Sequence, residues 1–356
     1  MTKIYLIRHA EAEGNIYRRA HGHYNGLVTP KGYKQIAKLR ERFMDIHIDA
    51  VYSSDLSRAM VTAQAVAESH GLSVETTDKL REVDLGQWED VAWGDIEFQY
   101  REMIAKFNND PAGWSVPGSE SYENVQSRMN DFIIEAAKQH DGGSIAVFSH
   151  GFAIRSLLCL LKNIPSNETD SNMPYCDNTG VGLLVYEDGK LKVEQYNCNV
   201  HLSNEVSTLA KQAWWRTEKR HVSENLRYMK LSEVCTEELL RIFQAKAGGR
   251  ASVDMQYAAF LADQPVGIVG IDTKRDSKIR TGWISYIHVI PAHRKKTFAT
   301  QLLGLAVSDF RKLRREKLRM EIPSGSLGIN FMNRCGFDVI DVTDQLCLME
   351  MNIRNW

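Results

Sequence analysis

Cysteine is scarce in this sequence, and its spacing excludes two kinds of cross-linked protein. The 356 residues include six cysteines, none of which forms a C-x-x-C pair. This pattern argues against a structural zinc site and against the disulfide framework of a small secreted protein. We therefore predict reduced thiols and a cytoplasmic location.

Long apolar runs are also missing. No stretch of the chain approaches the ~18 apolar residues of a membrane-spanning helix, and the first residues enter a strand pattern at Lys3 without the features of a secretory signal. The sequence has neither an internal repeat nor a low-complexity tract. With 43% apolar residues it can still build real cores. These features predict a globular protein that has no membrane partner.

Net charge is almost absent, but the two halves of the chain differ in sign. Up to residue 205 there are 20 Lys and Arg against 29 Asp and Glu, and beyond it 24 against 16. The length favours two domains, and the contrast in charge suggests that they differ in character. A basic half can bind a polyanionic cofactor, dock on the acidic half or attract nucleic acid. Because no nucleic-acid motif accompanies the charge, we predict no nucleic-acid partner.

Strand-like and helix-like segments alternate in the first half. Apolar runs at 3–7 and 50–53 predict strands, and helical periodicity follows each of them over 31–45 and 57–70. Thr29 stands where the N-cap of the first of these helices is expected. Further helices are predicted at 124–139 and 152–161, and a hairpin at 183–196. Alternation of this kind is typical of a three-layer α/β domain with a mainly parallel sheet.

Basic side chains follow three of the predicted strands of this half. Arg8 and His9 follow the first strand directly, Arg58 comes shortly after the second, and His150 follows the apolar run 144–149. Open α/β sheets bind ligands beyond the carboxyl ends of their strands. Clustered cationic donors at such an edge suit a phosphoryl group. The sequence therefore predicts a phosphoryl-transfer site here.

The residue types of this cluster fit attack on phosphorus. A neutral imidazole such as that of His9 is a competent nucleophile when cations hold the phosphoryl group in line. Arg8 and Arg58 offer forked donors, His150 offers a further charge, and an amide is available on Asn15. The leaving oxygen needs a proton from a carboxylic acid, and Glu82 is our candidate.

The segment 8–15 resembles the Arg-His-Gly signature of the histidine phosphatase superfamily, in its branch of phosphoglycerate mutases and related phosphatases. Matching stretches are Leu27–Gly32, Ser53–Ala59, Arg81–Gly86, Pro117–Ser121 and Ser149–Gly151. The resemblance implies a phosphoglycerate mutase-like fold over residues 1–205. It also implies a phosphohistidine nucleophile at His9, phosphate ligands Arg8, Asn15, Arg58 and His150, catalytic roles for Glu82 and His150, and no metal requirement. Ala10 departs from the usual Gly, and Ala12 stands where Thr or Ser is common.

Hydrolysis is favoured over mutase activity. The long insertion of the glycolytic mutases is missing, and an aromatic-rich stretch, 88–118, occupies that region. These aromatic residues suggest either a lid beside the site or a small satellite core. The basic loop 18–23 either meets a second anionic group of the substrate or forms a solvated surface. We predict a small-molecule phosphomonoester as the substrate.

A second constellation lies in the basic half, where a predicted strand, 282–289, is followed by a basic turn and a long helix, 298–315. Free backbone N–H groups and the helix dipole at such a turn attract anions. Cationic side chains add to this at Arg294, Lys295 and Lys296. The alternative interpretation is a basic turn that binds nothing.

This half resembles the GNAT N-acetyltransferases, whose motif A is matched by Arg294-x-x-Thr297-x-Ala299 and whose motif B by Cys335-Gly336-Phe337. The resemblance implies a GNAT-like α+β fold over 224–356 and acetyl-CoA as cofactor. Its pantetheine arm would lie on Ile287, His288 and Val289, and its pyrophosphate on the backbone of Arg294, Lys295, Lys296, Thr297, Phe298, Ala299 and Thr300. Thr297 replaces the central Gly, and Met332 stands where the family has a proton-donating Tyr.

The sequence thus predicts a bifunctional enzyme in which residues 206–223 form a helical linker. One activity is phosphomonoester hydrolysis and the other is acetyl transfer to an amine acceptor. Two alternatives stay open. In the first, the second half is a degenerate acyl-CoA-binding or dimerising module. In the second, the whole chain is a non-enzymatic sensor of a phosphometabolite and acyl-CoA. The oligomeric state, including a homodimer, also stays open.

Overall fold

A computed structural model of the chain describes residues 1–210, 224–234, 239 and 252–355, and divides them into two units. The first unit contains residues 1–12, 20–89 and the described residues from 100 to 210. The second contains residues 13–19, 90–99 and the described residues from 224 onward.

The described residues of the first unit form a six-stranded sheet in the order β3-β2-β4-β1-β5-β6. The first four strands in this order run parallel to one another, and β5 and β6 form an antiparallel hairpin at one edge. The strands are β1 (Thr2–Arg8), β2 (Ala50–Ser54), β3 (Val74–Thr77), β4 (Ser144–Ser149), β5 (Val181–Glu187) and β6 (Lys190–Cys198). The mainly parallel α/β sheet is confirmed.

Helices cover both faces of this sheet. Ile7, Val51 and Phe148 pack on one face with residues of α2 (Pro30–Phe43) and α3 (Ser57–Ser69). Because successive strand residues point to opposite faces, Thr2 and Ser149 face the other side, where both hydrogen-bond to α6 (Tyr122–Gln139). The other helices of the unit are α5 (Arg101–Asn109), α7 (Gly151–Leu161) and α8 (Thr169–Asn172).

Local capping chemistry explains where these helices begin. Thr29 is extended, accepts a hydrogen bond from Gly32 N and precedes a proline at the first helical position, as the sequence predicts. Ser121 caps α6 in the same way by accepting from Asn124 N. The predicted helices and strands of this half are confirmed within a few residues. Strand β3 was not predicted, because Val74–Thr77 is short and mostly polar.

The described residues of the second unit form a seven-stranded sheet in the order β12-β13-β11-β10-β9-β8-β7. All its neighbours are antiparallel except β10 and β11. The strands are β7 (Arg227–Lys230), β8 (Met255–Leu261), β9 (Gln264–Asp272), β10 (Thr281–Val289), β11 (Lys317–Pro323), β12 (Asp338–Val342) and β13 (Leu346–Asn352). Its helices are α1 (Glu13–Tyr17), α4 (Trp93–Gln99), α9 (Leu231–Val234), α10 (Phe298–Lys312) and α11 (Leu327–Arg334).

Two short helices from the first half of the chain, α1 and α4, pack within the second unit. The sequence predicts two continuous domains instead. Tyr17 is 3% exposed and shares a hydrophobic core with residues of α10. Tyr17 packs directly on Gly304, because a Cβ added to this glycine would lie only 2.4 Å from the Cβ of Tyr17. The carboxylate of Glu13 binds both terminal nitrogens of Arg311, at 2.8 and 3.0 Å. Burial of Tyr17 and this ion pair account for the difference.

The predicted helical linker, 206–223, is described only as far as residue 210. Residues 206–210 form turns rather than a helix. Several of their polar groups bind buried side chains of the first unit, as Thr208 N does with Asp177. The rest of the linker lies outside the described residues.

Candidate active site

The carboxyl ends of β1 and β4 bring two histidines together. The strands pair in parallel with Arg8 opposite Ser149, so the next residue of each strand, His9 and His150, leaves the sheet at the same edge. His9 N donates to Ser149 O at 3.0 Å. The centroids of the two imidazole rings are 5.1 Å apart. Both side chains are buried, with residues His9 and His150 5% and 0% exposed.

A backbone hydrogen bond defines which nitrogen of His9 is available. Nδ1 lies 2.7 Å from the carbonyl oxygen of Ala10. A carbonyl oxygen only accepts, so Nδ1 carries the proton and donates it. Nε2 therefore keeps its lone pair when the ring is neutral, which makes it the nucleophilic atom of this side chain.

Burial and two arginines keep both imidazoles neutral. Desolvation is the largest cause that lowers the pKa of His9 well below its usual value, followed by the charges of Arg58 and Arg8. The pKa of His150 is lowered in the same way, first by desolvation and then by the charge of Arg58. Protonation of either ring therefore costs more free energy inside the protein than in water.

Arg58 projects from the first turn of α3 and is 2% exposed. Its terminal nitrogens donate to the carbonyl oxygens of Tyr24, at 2.9 Å, and Gly22, at 2.7 Å. Burial lowers the pKa of this guanidinium to about 10, so it still carries a full charge near neutral pH. Arg58 is thus a rigid cation near both histidines.

Glu89 holds the loop on which Arg58 rests. Its carboxylate accepts from the backbone N–H groups of His23, Tyr24 and Leu85, at 2.7, 2.8 and 3.0 Å. A Cβ on Gly22 would lie 2.3 Å from Glu89 Oε1, so only glycine fits there. The carbonyl oxygens that bind Arg58 are therefore fixed by this buried corner.

Arg8 approaches the site from the end of β1. One terminal nitrogen donates to Cys176 O. Its Nε is buried and has no hydrogen-bond partner among the described residues. Gly151 makes room for the guanidinium, because a Cβ at that position would lie 3.2 Å from Nε. Both ring nitrogens of His150 likewise lack a partner in the described part of the chain.

Glu82 lies at the start of α7, the helix that follows His150. Its carboxylate accepts from Phe152 N at 3.1 Å and from Ala153 N at 2.9 Å. These N–H groups are among those that a helix leaves unpaired at its N-terminus. The charge of Glu82 also acts on Arg58. The structure thus brings Arg8, His9, Arg58, Glu82 and His150 together.

Asn15, the remaining predicted phosphate ligand, lies in α1 and belongs to the second unit. Arg19 belongs there too, and its Nε binds Asp90 at 2.7 Å while both side chains are buried. Arg19 is therefore not part of a solvated basic loop. His23, in the same predicted loop, instead donates from Nε2 to Glu82 O at 3.0 Å.

A polar cleft of about 370 Å³ lies beside Glu82. Arg128 connects the two, since it donates to Glu82 O at 3.0 Å and binds both carboxylate oxygens of Glu120. Side chains of both charges line the cleft: His23, Asp78, Lys79, Arg81, Asp84, Glu120 and Arg128, with Gly118 and Ser119. It offers partners for a substrate that carries positive and negative groups.

The aromatic residues between 88 and 118 belong to two places. Trp88 and Trp114 are 0% and 2% exposed and pack with Phe107 in a small core of the first unit, as one of the two interpretations has it. Phe107 stacks on Phe152, whose N–H binds Glu82. The segment containing Trp93 belongs to the second unit.

Sequence reasoning missed the residues that hold the backbone of His9. Asn178 Nδ2 donates to His9 O at 2.9 Å, and Thr179 N donates to the same oxygen at 3.3 Å. Both residues are 0% exposed. The run Asp-Asn-Thr-Gly at 177–180 is the local signal of a turn, but nothing in the sequence indicates that this turn is buried beside the nucleophile.

The predicted acyl-CoA region lies where two parallel strands of the second unit separate. β10 pairs with β11 from Thr281 to Ile284, and among the described residues their ladder ends there. β10 continues to Val289 along β9, with a register shift between Ile284 and Tyr286. The predicted pantetheine-binding residues 287–289 therefore lie where β10 no longer pairs with β11.

The basic turn leads from this strand to α10. Arg294, Lys295 and Lys296 are exposed, and α10 begins at Phe298 without a side-chain cap. In the first turn of this 15-residue helix, Phe298 N donates to Lys296 O and Thr300 N donates to Thr297 O at 3.0 Å. Met332, at the position expected for the proton donor, is 1% exposed in the core of this unit. A thioether has no proton to give.

Among the described residues, no three His, Cys, Asp or Glu side chains form a group that could hold a metal ion. No helix in the described ranges is both long and apolar enough to cross a membrane.

Comparison with known families supports the two-part organisation. The sequence profile of the Histidine phosphatase superfamily (branch 1) matches residues 4–199. The profile of the Acetyltransferase (GNAT) family matches residues 214–337. Both families occur in the order that the sequence predicts.

Curated relatives align with the first part of the chain. Phosphoserine phosphatase 1 of Hydrogenobacter thermophilus is 30% identical over 206 residues, which are 57% of this chain and 95% of the relative. A protein named "Probable phosphoglycerate mutase GpmB" of Salmonella choleraesuis is 27% identical over 166 residues, covering 47% and 77%.

Solved structures agree with this alignment. YhfR of Bacillus stearothermophilus superposes with a TM-score of 0.55 and 25% identity, over 57% of this chain and all of that one. Phosphoserine phosphatase of Entamoeba histolytica in complex with 3-phosphoglyceric acid gives a TM-score of 0.51 and 25% identity, with the same coverage. The phosphoglycerate mutase-like fold of the first part is confirmed.

Proposed function

The chain belongs to the histidine phosphatase superfamily, and on that premise we propose that it hydrolyses small phosphomonoesters through a phosphohistidine at His9. One observation carries the proposal. Buried donors of Arg8 and His150 have no partner among the described residues, and they lie with Arg58 around a neutral imidazole whose Nε2 is available. A phosphoryl group supplies the acceptors that these donors require.

The proposed reaction has two steps. Nε2 of His9 attacks phosphorus, the bond from phosphorus to the ester oxygen breaks, and that oxygen takes a proton from the carboxylic acid of Glu82. Water then attacks the phosphohistidine, gives a proton back to Glu82, and releases inorganic phosphate as the N–P bond breaks. Arg8, Arg58 and His150 are the proposed phosphate ligands, and neither proposed step uses a metal.

Phosphoserine is the first substrate to test. Relatives named as phosphoserine phosphatases and the 3-phosphoglyceric acid complex point to small charged phosphates. The cleft beside Glu82 is lined by side chains of both charges that pair with each other, Arg128 with Glu120 and His23 with Asp84. A substrate with an ammonium and a carboxylate group would exchange these pairs for its own. Phosphoglycerate mutase activity is the less favoured alternative.

Labelling tests the nucleophile. Brief incubation with ³²P-phosphoserine and an alkaline quench should leave acid-labile label on the wild-type protein, and His9→Ala should remove both label and turnover. His47→Ala is the matched control, because the His47 side chain is exposed and, within the described ranges, its partner is the surface residue Asp49. Turnover that persists in His9→Ala would exclude His9 as the nucleophile. A wild-type protein that binds phosphate without turnover would favour the sensor alternative.

For the second half we propose acetyl-CoA binding and acetyl transfer to an amine. The separation of β10 from β11, the uncapped start of α10 and three exposed cations support this. Residues 287–289 would hold the pantetheine arm, and the backbone of residues 294–300 the pyrophosphate. A degenerate acyl-CoA-binding or dimerising module is the alternative, since Met332 cannot protonate a leaving thiolate.

Calorimetric titration with acetyl-CoA, followed by an assay of thiol release with a panel of amines, distinguishes these candidates. Binding with thiol release supports a transferase, and binding without it supports a degenerate module. The variant Arg294→Ala with Lys295→Ala and Lys296→Ala should weaken binding. Absence of binding by the wild-type protein would refute both.

A further inference from the structure

Thr208 lies beyond residue 199, where the phosphatase profile ends, and beyond the predicted domain boundary at 205. It is 2% exposed, and it binds residues on both sides of the His9 nucleophile through short chains of hydrogen bonds. We propose that Thr208 is a positioning residue for the reaction, which makes the turn at 206–209 part of the phosphatase. The proposal rests on the function assigned above to His9.

The first chain runs through the hydroxyl group of Thr208. Its Oγ1 donates to Glu11 Oε2 at 3.2 Å and accepts from Gln35 Nε2 at 2.9 Å. The other end of the Gln35 amide accepts from Glu11 N at 2.7 Å. The backbone and the carboxylate of Glu11, two residues after His9, are therefore both tied to one hydroxyl.

The second chain runs through the backbone N–H of Thr208, which donates to Asp177 Oδ1 at 3.0 Å. The same oxygen accepts from Asn178 N at 2.9 Å, and Asn178 Nδ2 donates to His9 O at 2.9 Å. Ser207 Oγ also donates to Asp177 at 2.5 Å. The turn therefore fixes the group that binds the nucleophile's own carbonyl oxygen.

Burial makes these connections stiff. Glu11 is 3% exposed, and Gln35, Asp177 and Asn178 are each 0% exposed. A buried polar group that loses its partner is costly, so the network has few alternative arrangements. Lys31, whose side chain is 26% exposed, binds Glu11 Oε2 at 2.7 Å and keeps that carboxylate paired if Thr208 changes. The network determines where the main chain carries His9, and reaction rates depend steeply on such placement.

The test replaces the hydroxyl in the full-length chain. Thr208→Val removes the contacts to Glu11 and Gln35 but keeps the backbone bond to Asp177, and Thr208→Ser keeps both. Thr169→Val is the matched control, because Thr169 is also buried in the first unit but makes no contact with this network. Rapid-quench labelling with ³²P-phosphoserine gives the rate constant and the final extent of His9 phosphorylation separately.

A positioning role predicts that Thr208→Val lowers the rate constant of His9 phosphorylation by about tenfold or more, and that Thr208→Ser restores it. A structural role alone would reduce the labelled fraction and leave the rate constant of the folded enzyme unchanged. That result, or an equal loss in Thr169→Val, overturns the proposal.

A second readout does not depend on phosphatase activity. In ¹⁵N-histidine NMR spectra the wild-type protein and Thr208→Ser should show the Nδ1–H tautomer of His9, identified by its loss in His9→Ala. Thr208→Val should shift or broaden that signal. An unlabelled wild-type protein would refute the proposed function, whereas an unchanged His9 signal in Thr208→Val would refute the positioning role.

Discussion

The buried pair of Glu13 and Arg311 gives the sharpest prediction for the second unit. The two side chains are 7% and 5% exposed, and the guanidinium meets both carboxylate oxygens. Arg311→Met removes the bidentate partner of a buried carboxylate, and breaking a buried ion pair from one side costs about 3–5 kcal/mol. The substitution also removes the Nε donor to Ile353 O, at 2.7 Å.

The double variant Glu13→Met with Arg311→Met separates these effects. Replacing both charges by apolar side chains of similar size is often close to neutral. The loss that remains is the unpaired carbonyl oxygen of Ile353, about 1–3 kcal/mol. We therefore expect the double variant to be more stable than Arg311→Met, which is the opposite of additivity.

Native-state hydrogen exchange of peptides from α10 measures the opening free energy of this unit directly. Arg280→Met is the control, because Arg280 pairs with Glu316 at 2.6 Å while 63% and 30% of the two side chains are exposed. Breaking such a surface pair costs only about 0–1 kcal/mol. If Arg311→Met costs no more than Arg280→Met, α1 does not belong to the second unit in solution.

Three further predictions concern the two sites. Folding holds the two active-site histidines neutral by lowering the pKa of each. The free energy of unfolding should therefore fall as pH drops below about 6.5, by up to about 1.4 kcal/mol per pH unit for each histidine. In denaturant titrations at several pH values, His150→Gln should show a shallower dependence of this free energy on pH than the wild-type protein. An equal dependence in the two proteins would contradict the prediction. Gly151→Ala places a Cβ 3.2 Å from Arg8 Nε and should raise the KM for phosphoserine several-fold in steady-state assays. The control Gly182→Ala should leave the KM unchanged, because its Cβ lies no nearer than 3.4 Å to its neighbours. Thr297→Gly should tighten acetyl-CoA binding in calorimetry, since it removes the side chain at the point where phosphate approaches the backbone; weaker binding would count against the proposed pyrophosphate site.

Local patterns were sufficient to predict the sheet and the cations at its edge. The strands at 2–8 and 144–149 are short apolar runs, and each is followed directly by a chemically distinctive residue, His9 or His150. Parallel pairing then leaves little freedom, because residues that follow neighbouring strands must leave the same edge. Arg58 was predicted in the same way from its place after the second strand, Glu82 was chosen for its carboxylic acid, and the family motif agrees with both.

The supports of the site were not predictable in this way. Asp177, Asn178 and Thr208 are polar residues in turns, and their sequence context is that of exposed loops. They are buried because residues distant along the chain provide their hydrogen-bond partners. Periodic sequence patterns carry no information about such distant partners. The assignment of residues 13–19 to the second unit has the same origin. Glu13 looks like a surface charge until Arg311, almost 300 residues later, is known to bind it.

The electrostatics of the first site favour an anion over any other ligand. Desolvation makes protonation of His9 and His150 unfavourable, yet Arg58 stays charged at 2% exposure, because its pKa falls only to about 10. Carbonyl oxygens accept the hydrogen bonds of Arg58, and the charges of Glu82 and Glu89 offset part of its own. In the proposed reaction a phosphoryl dianion adds negative charge and acceptors together, next to a lone pair that burial keeps free of a proton. The burial that lowers the pKa of His9 therefore also prepares the proposed nucleophile.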